Sequence, residues 1–449
     1  MSFNFLSRFD TGRPAAADAP ATARPPVPKE QAPGEDRQDA EDRTGFVTYS
    51  SLLDPKKQVI GYRMGWRPAA AGPRQPGAAA RLKALGESVR HHFCRRSGWR
   101  MGNTVLFFDA APGAISLDEW QGFPTQNVVL CWQAEDFLDP AQQPALTALR
   151  EHGFGLMLCG AADLPEDKQL RELVTHFDVG AGDALLIANG RRGVAPGRRP
   201  IQLIATRMEN WPQFEACAAR RVPVLVDGSQ GSPVVSGPRR ALQPESLLIV
   251  ALMQMLQRNE DVREIEAALK HDAALTYRLL RHINSPAIGA GVEITSLRHA
   301  VSMLGYSPLF RWLSLLLATS NVKVSPPFLM KKAIMRGRFV ELLGQTLLGA
   351  AHTDNLFLVG MFSFIDQLLG IPMTDMLERV QLAEPVQRAI LERKGIYGPF
   401  LALALTCEAD AREAVALAEE LFMSTAQVNA AHLAAMVWCQ EIARVEAPY

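Results

Sequence analysis

Residues 127–159 read NVVLCWQAEDFLDPAQQPALTALREHGFGLMLC, a candidate strand, helix and second strand in order. The runs at the two ends, 127–132 and 154–159, are continuously apolar, as strands are when both faces of their sheet are covered. Residues 141–152, between them, carry apolar residues at helical spacing. Strands that are joined through a helix usually lie parallel, so this stretch predicts an α/β domain with a buried parallel sheet.

Similar runs continue on both sides of this unit. The other strand candidates are 46–50, 59–64, 104–109, 184–188, 201–206 and 222–227. Further helical patterns fall at about 78–94, 166–177 and 211–221. The last is expected to have Asn210 as its N-cap and Pro212 in its first turn. Eight strands favour a barrel over a doubly wound sheet, and a span of about 45–235 is short for that fold, which predicts trimmed or missing helices.

The N-terminal region has a different composition. Residues 11–43 are rich in proline, alanine and charge, and they cannot bury enough apolar surface to offset the loss of chain entropy. We therefore expect a disordered tail at 1–43. Arg8 and Asp10 interrupt the apolar residues before it, so neither a secretory signal nor a membrane span is expected there, and the expected location is cytoplasmic.

Charge and cysteine content limit the classes of partner. Basic and acidic residues both total 47, so no overall field attracts nucleic acid or an anionic membrane, and no DNA partner is expected. The six cysteines include no CxxC pair, which indicates reduced thiols and neither a zinc site nor disulfides. Cys131 and Cys159 have two interpretations, redox activity or, as for most buried cysteines, the role of a small apolar side chain.

The second half of the chain has only helical patterns. The turn-rich segment 228–240 ends the strand region, and everything from Pro244 onward has helical spacing. We expect an α/β domain at 44–235 and an all-helical domain at 242–449.

Three stretches of the helical half carry a family resemblance. They are DAALTYRLLRHINSP at 272–286, TSLRHAVSMLG at 295–305 and MFSFIDQLLGIP at 361–372. They resemble HDOD domains, which are helical relatives of the HD metal-dependent phosphohydrolases. The order of the two halves resembles EAL-plus-HDOD bacterial signalling proteins, in which a barrel similar to cyclic di-GMP phosphodiesterases comes first. The resemblance implies a degenerate, shortened EAL-type TIM-like barrel followed by an all-helical HDOD domain.

The resemblance also indicates where EAL enzymes place their metal ligands. In the stretch VIGYRMGWR at 59–67, Arg63 takes the place of the glutamate of the EAL tripeptide. The other matching positions are Asp109, Cys131, Gln133, Cys159, Gly160, Ala181, Asp183, Glu209, Gln230 and Gly231. The carboxylates that remain are too few to hold two metal ions, which need oxygen ligands, and a guanidinium repels such ions.

The helical half gives the same expectation. His271 and Asp272 spell HD, but Asp272 precedes a helix and is expected to be its N-cap. The family's metal-binding pair falls on Ser363 and Phe364 in GMFSF at 360–364. The resemblance therefore implies that neither half retains an active site, and no metal or other cofactor is expected.

Two sets of residues are the candidates for binding. Arg63 is either a phosphate contact or one partner of a salt bridge at a strand end, and as a ligand contact it is grouped with Asp183, Glu209 and Gln230. The second set belongs to core packing or to a patch that docks a protein partner. Its members are Tyr306, Phe310, Arg311 and Trp312.

The leading hypothesis is a non-catalytic bacterial signalling scaffold that acts in a signalling or motility pathway through protein contacts of its HDOD domain. The alternative is a receptor that binds cyclic di-GMP or another nucleotide without hydrolysing it.

Overall fold

The structure is a computed structural model, and it describes only part of the chain. The described residues are 45–69, 77–95, 98–112, 117–180, 200–226, 242–269, 272, 275–279, 296–320, 326–409 and 413–446. The tail expected at 1–43 and the strand expected at 184–188 lie outside them.

Eight strands close into a barrel, which confirms the predicted fold class. The barrel strands are β1 (Gly45–Leu53), β2 (Val59–Pro68), β5 (Val105–Asp109), β6 (Val128–Gln133), β7 (Gly155–Cys159), β8 (His176–Val179), β9 (Gln202–Ala205) and β10 (Val224–Val226). β3 (Cys94–Arg95) and β4 (Gly98–Trp99) form a separate two-stranded sheet. The order around the barrel is β1-β10-β9-β8-β7-β6-β5-β2.

The expectation of a parallel sheet is wrong at β1, which is antiparallel to both β2 and β10. The reason is the connection to β2. Residues 54–58 form a tight turn, whereas a parallel crossover needs a dozen or more residues. The Asp54 carboxylate accepts hydrogen bonds from the backbone N–H groups of Lys56 and Gln58 at 2.9 and 2.8 Å, which fixes the turn.

Several helices of the barrel are short, as we predicted from the small number of residues in this domain. They are α1 (Ala78–Phe93), α2 (Leu117–Trp120), α3 (Ala134–Phe137), α4 (Gln143–Glu151), α5 (Lys168–Leu173) and α6 (Trp211–Ala219). The Asn210 side chain caps α6 by accepting from the N–H of Gln213 at 3.1 Å, as expected.

The helix expected over 166–177 ends early, at Leu173. The Thr175 hydroxyl accepts from the backbone N–H of Leu156 at 2.8 Å and donates to its carbonyl at 2.9 Å, which joins the chain to β7. Residues 176–179 then continue as β8.

The strands alternate between two buried faces. The outward side chains pack under the helices in the large core of the protein. A smaller apolar cluster fills the barrel interior, and its members are Leu52, Phe107, Val129, Cys131, Met157, Cys159, Ile204 and Leu225. Cys131 and Cys159, which the resemblance matches to ligand positions, therefore lie inside the barrel.

The second half is helical throughout its described residues. Its helices are α7 (Pro244–Gln257), α8 (Val262–Leu269), α9 (Leu297–Leu304), α10 (Tyr306–Thr319), α11 (Pro327–Leu348), α12 (Thr353–Phe362), α13 (Ile365–Leu369), α14 (Met373–Val380), α15 (Glu384–Glu392), α16 (Gly398–Ala409), α17 (Ala414–Glu420) and α18 (Thr425–Glu446). None of the helices in the described part of the chain is long and apolar enough to cross a membrane.

The last helix returns to the first strand and joins the two halves. The Asn429 side chain of α18 donates to the carbonyl of Gly45 and accepts from the N–H of Val47, both at 2.8 Å and both buried. His432, one turn later, stacks on Phe339 with ring centroids 4.4 Å apart and meets Tyr49 of β1 edge to face at 5.3 Å. The first strand of the barrel is thus held by a side chain of the helical half.

The Asn429→Ala substitution tests this junction. It leaves a buried N–H and a buried carbonyl of β1 without partners, which costs about 1–3 kcal/mol each. We expect the free energy of unfolding to fall by roughly 2–4 kcal/mol in urea denaturation. The Glu420→Ala change, at an exposed position of the preceding helix, should have little effect. Equal stability of the two variants would show that the Asn429 bonds do not hold the junction.

The same junction predicts a pH dependence. Burial lowers the pKa of His432 to about 4, and the charge of Glu408 opposes this only in part. The unfolded histidine titrates near 6.5, so between pH 6.5 and 4 the unfolded chain binds a proton that the folded chain does not. The free energy of unfolding should therefore fall with decreasing pH, by up to about 1.4 kcal/mol per pH unit for this histidine.

The His432→Phe substitution keeps an aromatic ring on Phe339 and removes the titrating group. Since burial also lowers the pKa of His176 to about 4, the variant should show a shallower slope, not a flat one. A His91→Gln control, at an exposed position, should keep the full slope. Identical slopes for the wild type and His432→Phe would contradict the assignment.

Candidate functional site

The candidate site lies at the end of the barrel where the parallel strands terminate. Going from strand to strand, β2 supplies Arg63, β5 supplies Asp109, β6 supplies Cys131, β7 supplies Cys159 and β8 supplies Asp178. The two cysteines belong to the interior cluster. Asp178 is in register with interior Ile204 of β9, which places it on the interior face as well.

Arg63 forms an ion pair with Asp109. Its Nε and Nη2 donate to Oδ1 of Asp109 at 2.9 and 2.5 Å, and the two side chains are 26% and 58% exposed. Burial alone would lower the pKa of Arg63, but the charge of Asp109 outweighs it and the pKa is raised. Arg63 is therefore a fixed cation, as the salt-bridge interpretation expected, and its contact with a phosphate stays a prediction.

Cys131 and Cys159 form a contact between thiols. The pKa of Cys131 is raised, first by its hydrogen bond with Cys159 and then by burial. Its Sγ also lies 3.8 Å from the sulfur of Met157. A protonated, buried thiol is a poor nucleophile and a poor metal ligand. This geometry favours the role of small apolar side chains over redox activity.

Asp178 is an interior carboxylate that the sequence reasoning missed. It is 7% exposed, its Oδ1 accepts from the Thr206 hydroxyl at 2.6 Å, and its Oδ2 lies 3.9 Å from Nη2 of Arg207. The strand alternation of HFDV at 176–179 was the available signal. It was hidden because the helix expected over 166–177 extended into this stretch.

The other expected ligand contacts do not gather around Arg63. Asp183 and Gln230 lie outside the described residues. Glu209 is exposed at the start of α6, where its N–H donates to the side chain of Gln213 at 2.8 Å and its carboxylate accepts from the same side chain at 3.4 Å. Glu209 thus contacts the end of a helix.

A cavity of about 310 Å³ opens beside Arg63. One wall consists of β1, β2 and the end of β5, and the other is the C-terminal end of α16 in the helical half. The lining residues are Thr48, Tyr49, Ser50, Arg63, Met64, Gly65, Arg67, Asp109, Cys407, Glu408 and Ala409.

A second guanidinium lies against Ser363 and Phe364, the residues that the resemblance matches to the HD pair. Arg336 of α11 donates from Nη1 to the Ser363 hydroxyl at 3.0 Å, and its Cζ lies 4.6 Å from the ring centroid of Phe364. Its Nε and Nη2 donate to the two carboxylate oxygens of Glu408 at 2.9 and 2.7 Å. Lys332 approaches the same carboxylate at 3.6 Å.

This ion pair is buried and well satisfied. The side chains of Arg336 and Glu408 are 6% and 7% exposed. Burial would raise the pKa of Glu408, but Arg336 outweighs it and the pKa is lowered, so the carboxylate stays charged. The charges are matched within hydrogen-bonding distance, which is the condition for burying them.

The residues at the two sites do not fit the metal centres that the resemblance would supply. Arg63 places a positive charge at one site and Arg336 does so at the other, and each repels a divalent cation. Within the ranges that the structure describes, no three His, Cys, Asp or Glu side chains converge as a metal site. Phe364 offers no ligand atom at all.

The residues proposed for partner docking are largely internal. Phe310 and Trp312 are 8% and 5% exposed. Arg311 is bidentate to the buried Glu341, with Nη1 and Nη2 at 3.0 and 2.7 Å, and its guanidinium stacks 4.0 Å from the Phe357 ring centroid. Tyr306 is half-buried and therefore more accessible to a partner than Phe310 and Trp312. A docking role stays a prediction, and it concerns Tyr306 more than the other residues.

A double-mutant cycle on Arg336 and Glu408 tests the second guanidinium site. Arg336→Met leaves a buried carboxylate with only Lys332 nearby, and breaking such a pair costs about 3–5 kcal/mol. The double variant Arg336→Met, Glu408→Leu should recover most of that loss in urea denaturation. An additive double variant would show that the two side chains are not coupled.

Comparisons with known proteins agree with this architecture. Residues 243–385 match the HDOD domain family. The protein named cyclic di-GMP phosphodiesterase CdgJ, from Vibrio cholerae, is 24% identical over 430 residues, which is 93% of this chain and 96% of the relative. The uncharacterized protein YuxH of Bacillus subtilis is 23% identical over 288 residues, covering 62% of this chain and 69% of the relative.

A solved structure was also matched. The crystal structure of the Bacillus subtilis YkuI protein, which has an EAL domain and was determined in complex with cyclic di-GMP and calcium, is 13% identical with a TM-score of 0.32. The match covers 59% of this chain and 73% of that chain. Residues 243–385 are therefore similar to HDOD domains, and in this chain they follow an N-terminal closed barrel.

Proposed function

We propose that this chain is a non-catalytic protein of cyclic di-GMP signalling, and that it acts through contacts of its HDOD domain with a protein partner. The observation that carries the proposal is a paired guanidinium at each of the two places that the resemblance matches to metal ligands. Arg63 pairs with Asp109 in the barrel, and Arg336 pairs with Glu408 beside Ser363. We take cyclic di-GMP as the nucleotide of the pathway from the name of the Vibrio cholerae relative.

The chemistry supports the absence of turnover. Metal-assisted hydrolysis of a phosphodiester needs a cation that polarises the phosphate and lowers the pKa of an attacking water. Arg63 can neutralise part of a phosphate charge, but it is always protonated and cannot activate water. Its neighbour Asp109 already accepts two hydrogen bonds from it.

The first experiment is a hydrolysis assay. The full-length protein should not convert cyclic di-GMP to its linear product with Mg²⁺ or Mn²⁺. Arg63→Glu, which restores the carboxylate of the EAL tripeptide, should not generate activity either, because Cys131 and Cys159 remain at two further ligand positions.

The control addresses contaminating enzymes. The double variant Asp178→Asn, Glu209→Gln is purified in the same way and measured beside the wild type. Turnover in the wild type that disappears in this variant would overturn the non-catalytic proposal. Equal trace activity in both would identify a contaminant.

A second candidate function is nucleotide binding without turnover. The cavity beside Arg63 favours it, because its volume lies at the lower end of the 300–1,000 Å³ that is common for ligand pockets and it is lined by two arginines. Titration calorimetry of cyclic di-GMP into the full-length protein should then show saturable binding. Arg63→Glu should weaken the binding at least tenfold, because it replaces a cation by an anion next to Asp109.

The matched control is Lys83→Glu, which makes the same charge change at an exposed position of α1. It should bind like the wild type. If both variants bind equally well, Arg63 is not a ligand contact. If the wild type does not bind, the receptor function fails and the scaffold function stands alone.

A further inference from the structure

The cavity beside Arg63 belongs to both halves of the protein. The barrel contributes side chains of β1, β2 and β5, and the helical half contributes Cys407, Glu408 and Ala409 at the end of α16. A ligand that fills it would touch both domains at once.

The charges around the cavity favour an anion. Arg63 and Arg67 line it, while its two carboxylates are already paired, Asp109 with Arg63 and Glu408 with Arg336. Lys332 adds a further cation next to Glu408. Each carboxylate of the lining is therefore compensated by at least one cation, so neither presents an uncompensated negative charge to a ligand beside Arg63 and Arg67.

The other acidic groups of the lining add no negative charge. Burial raises the pKa of Tyr49, and the nearby charge of Glu408 raises it further. Burial, with a contribution from Glu408, raises the pKa of Cys407 to about 12. Both groups are neutral at physiological pH.

The neutral lining supplies hydrogen-bonding groups and open space. Thr48 and Ser50 contribute hydroxyl groups. Gly65 allows the Thr48 side chain to lie close to β2, because a Cβ at position 65 would lie 2.6 Å from the Thr48 hydroxyl oxygen.

We infer that this interdomain cavity binds an organic phosphate, with the barrel side supplying arginines and the end of α16 closing over the ligand. The inference deepens the receptor function proposed above and rests on it. The helical half is then part of the binding site, and a ligand bound there favours the arrangement in which α16 lies against the barrel.

The contacts behind the α16 wall give such a ligand a route into the helical half. Glu408 on the wall is held by Arg336, and Arg336 also donates to Ser363. The same Ser363 hydroxyl donates to the carbonyl of Gly360 at 2.6 Å, within the last turn of α12. A change at the cavity wall therefore reaches the position of the HD pair through two side-chain contacts.

The test fills the helical side of the cavity and leaves the barrel unchanged. Ala409 lines the cavity but is itself exposed, so Ala409→Phe should fold normally. The matched control is Ala416→Phe, at an exposed position of α17 outside the cavity. Cyclic di-GMP is titrated into the wild type and both full-length variants, and inorganic phosphate is titrated into the wild type.

The inference predicts at least tenfold weaker binding of cyclic di-GMP by Ala409→Phe and wild-type binding by Ala416→Phe. It also predicts that saturating cyclic di-GMP slows amide hydrogen exchange in α16 of the wild type. Wild-type affinity in Ala409→Phe, together with unchanged exchange in α16, would overturn the interdomain site while leaving the receptor function intact. Inorganic phosphate that binds as tightly as cyclic di-GMP would overturn the assignment to an organic phosphate, and no binding of either ligand would remove both the inference and the receptor function.

Discussion

The strand β1 is the constraint on which both halves of the molecule depend. It closes the barrel by pairing with β2 on one side and β10 on the other. The start of β1 is held by Asn429, which lies at least 382 residues away in the sequence. Its side chain accepts from the N–H of Val47 and donates to the carbonyl of Gly45. The β1 side chains Thr48, Tyr49 and Ser50 then form part of the interdomain cavity. The strand β1 therefore takes part in closing the barrel, in docking the helices and in forming the cavity.

The two guanidinium–carboxylate pairs have the same physical effect. A carboxylate that is wholly or partly removed from water is costly unless a cation compensates its charge, and a cationic side chain can do this as a bound metal ion can. Here Arg63 compensates Asp109, and Arg336 compensates Glu408. In each pair the compensating cation is a side chain of the protein itself, so the charge balance of the pair does not depend on binding an ion.

Much of the barrel could be predicted from the sequence because buried parallel strands are continuous apolar runs. The runs at 104–109, 127–132 and 154–159 appear as β5, β6 and β7 with ends shifted by at most one residue. β8 was missed because its four residues are flanked by a helix and include His176 and Asp178, which obscure the apolar signal. The antiparallel direction of β1 depends on the turn at residues 54–58. An apolar run predicts that a strand forms, but it does not predict whether the strand is parallel or antiparallel to its neighbours.

The site was predictable to a smaller extent, for a physical reason. The sequence itself suggested Arg63, and Ser363 with Phe364, as the residues at the positions that the resemblance matches to metal ligands. The partners of the two arginines could not be predicted, because Asp109 lies 46 residues from Arg63 and Glu408 lies 72 residues from Arg336. Likewise, GYSPLFRWL was open to a docking interpretation until packing showed Phe310 and Trp312 inside the helical core.

The position of the cavity bears on how the two domains work together. If the barrel had only lost its catalytic groups, a ligand in its mouth would have no reason to affect the helices. Here α16 forms a wall of that mouth, and the Glu408 carboxylate on this wall is held by Arg336, which also donates to Ser363. A ligand can shift an equilibrium only through contacts that differ between two states, and a cavity with walls from two domains provides such contacts. Because the helices also hold β1, neither domain can be treated as a passive support for the other.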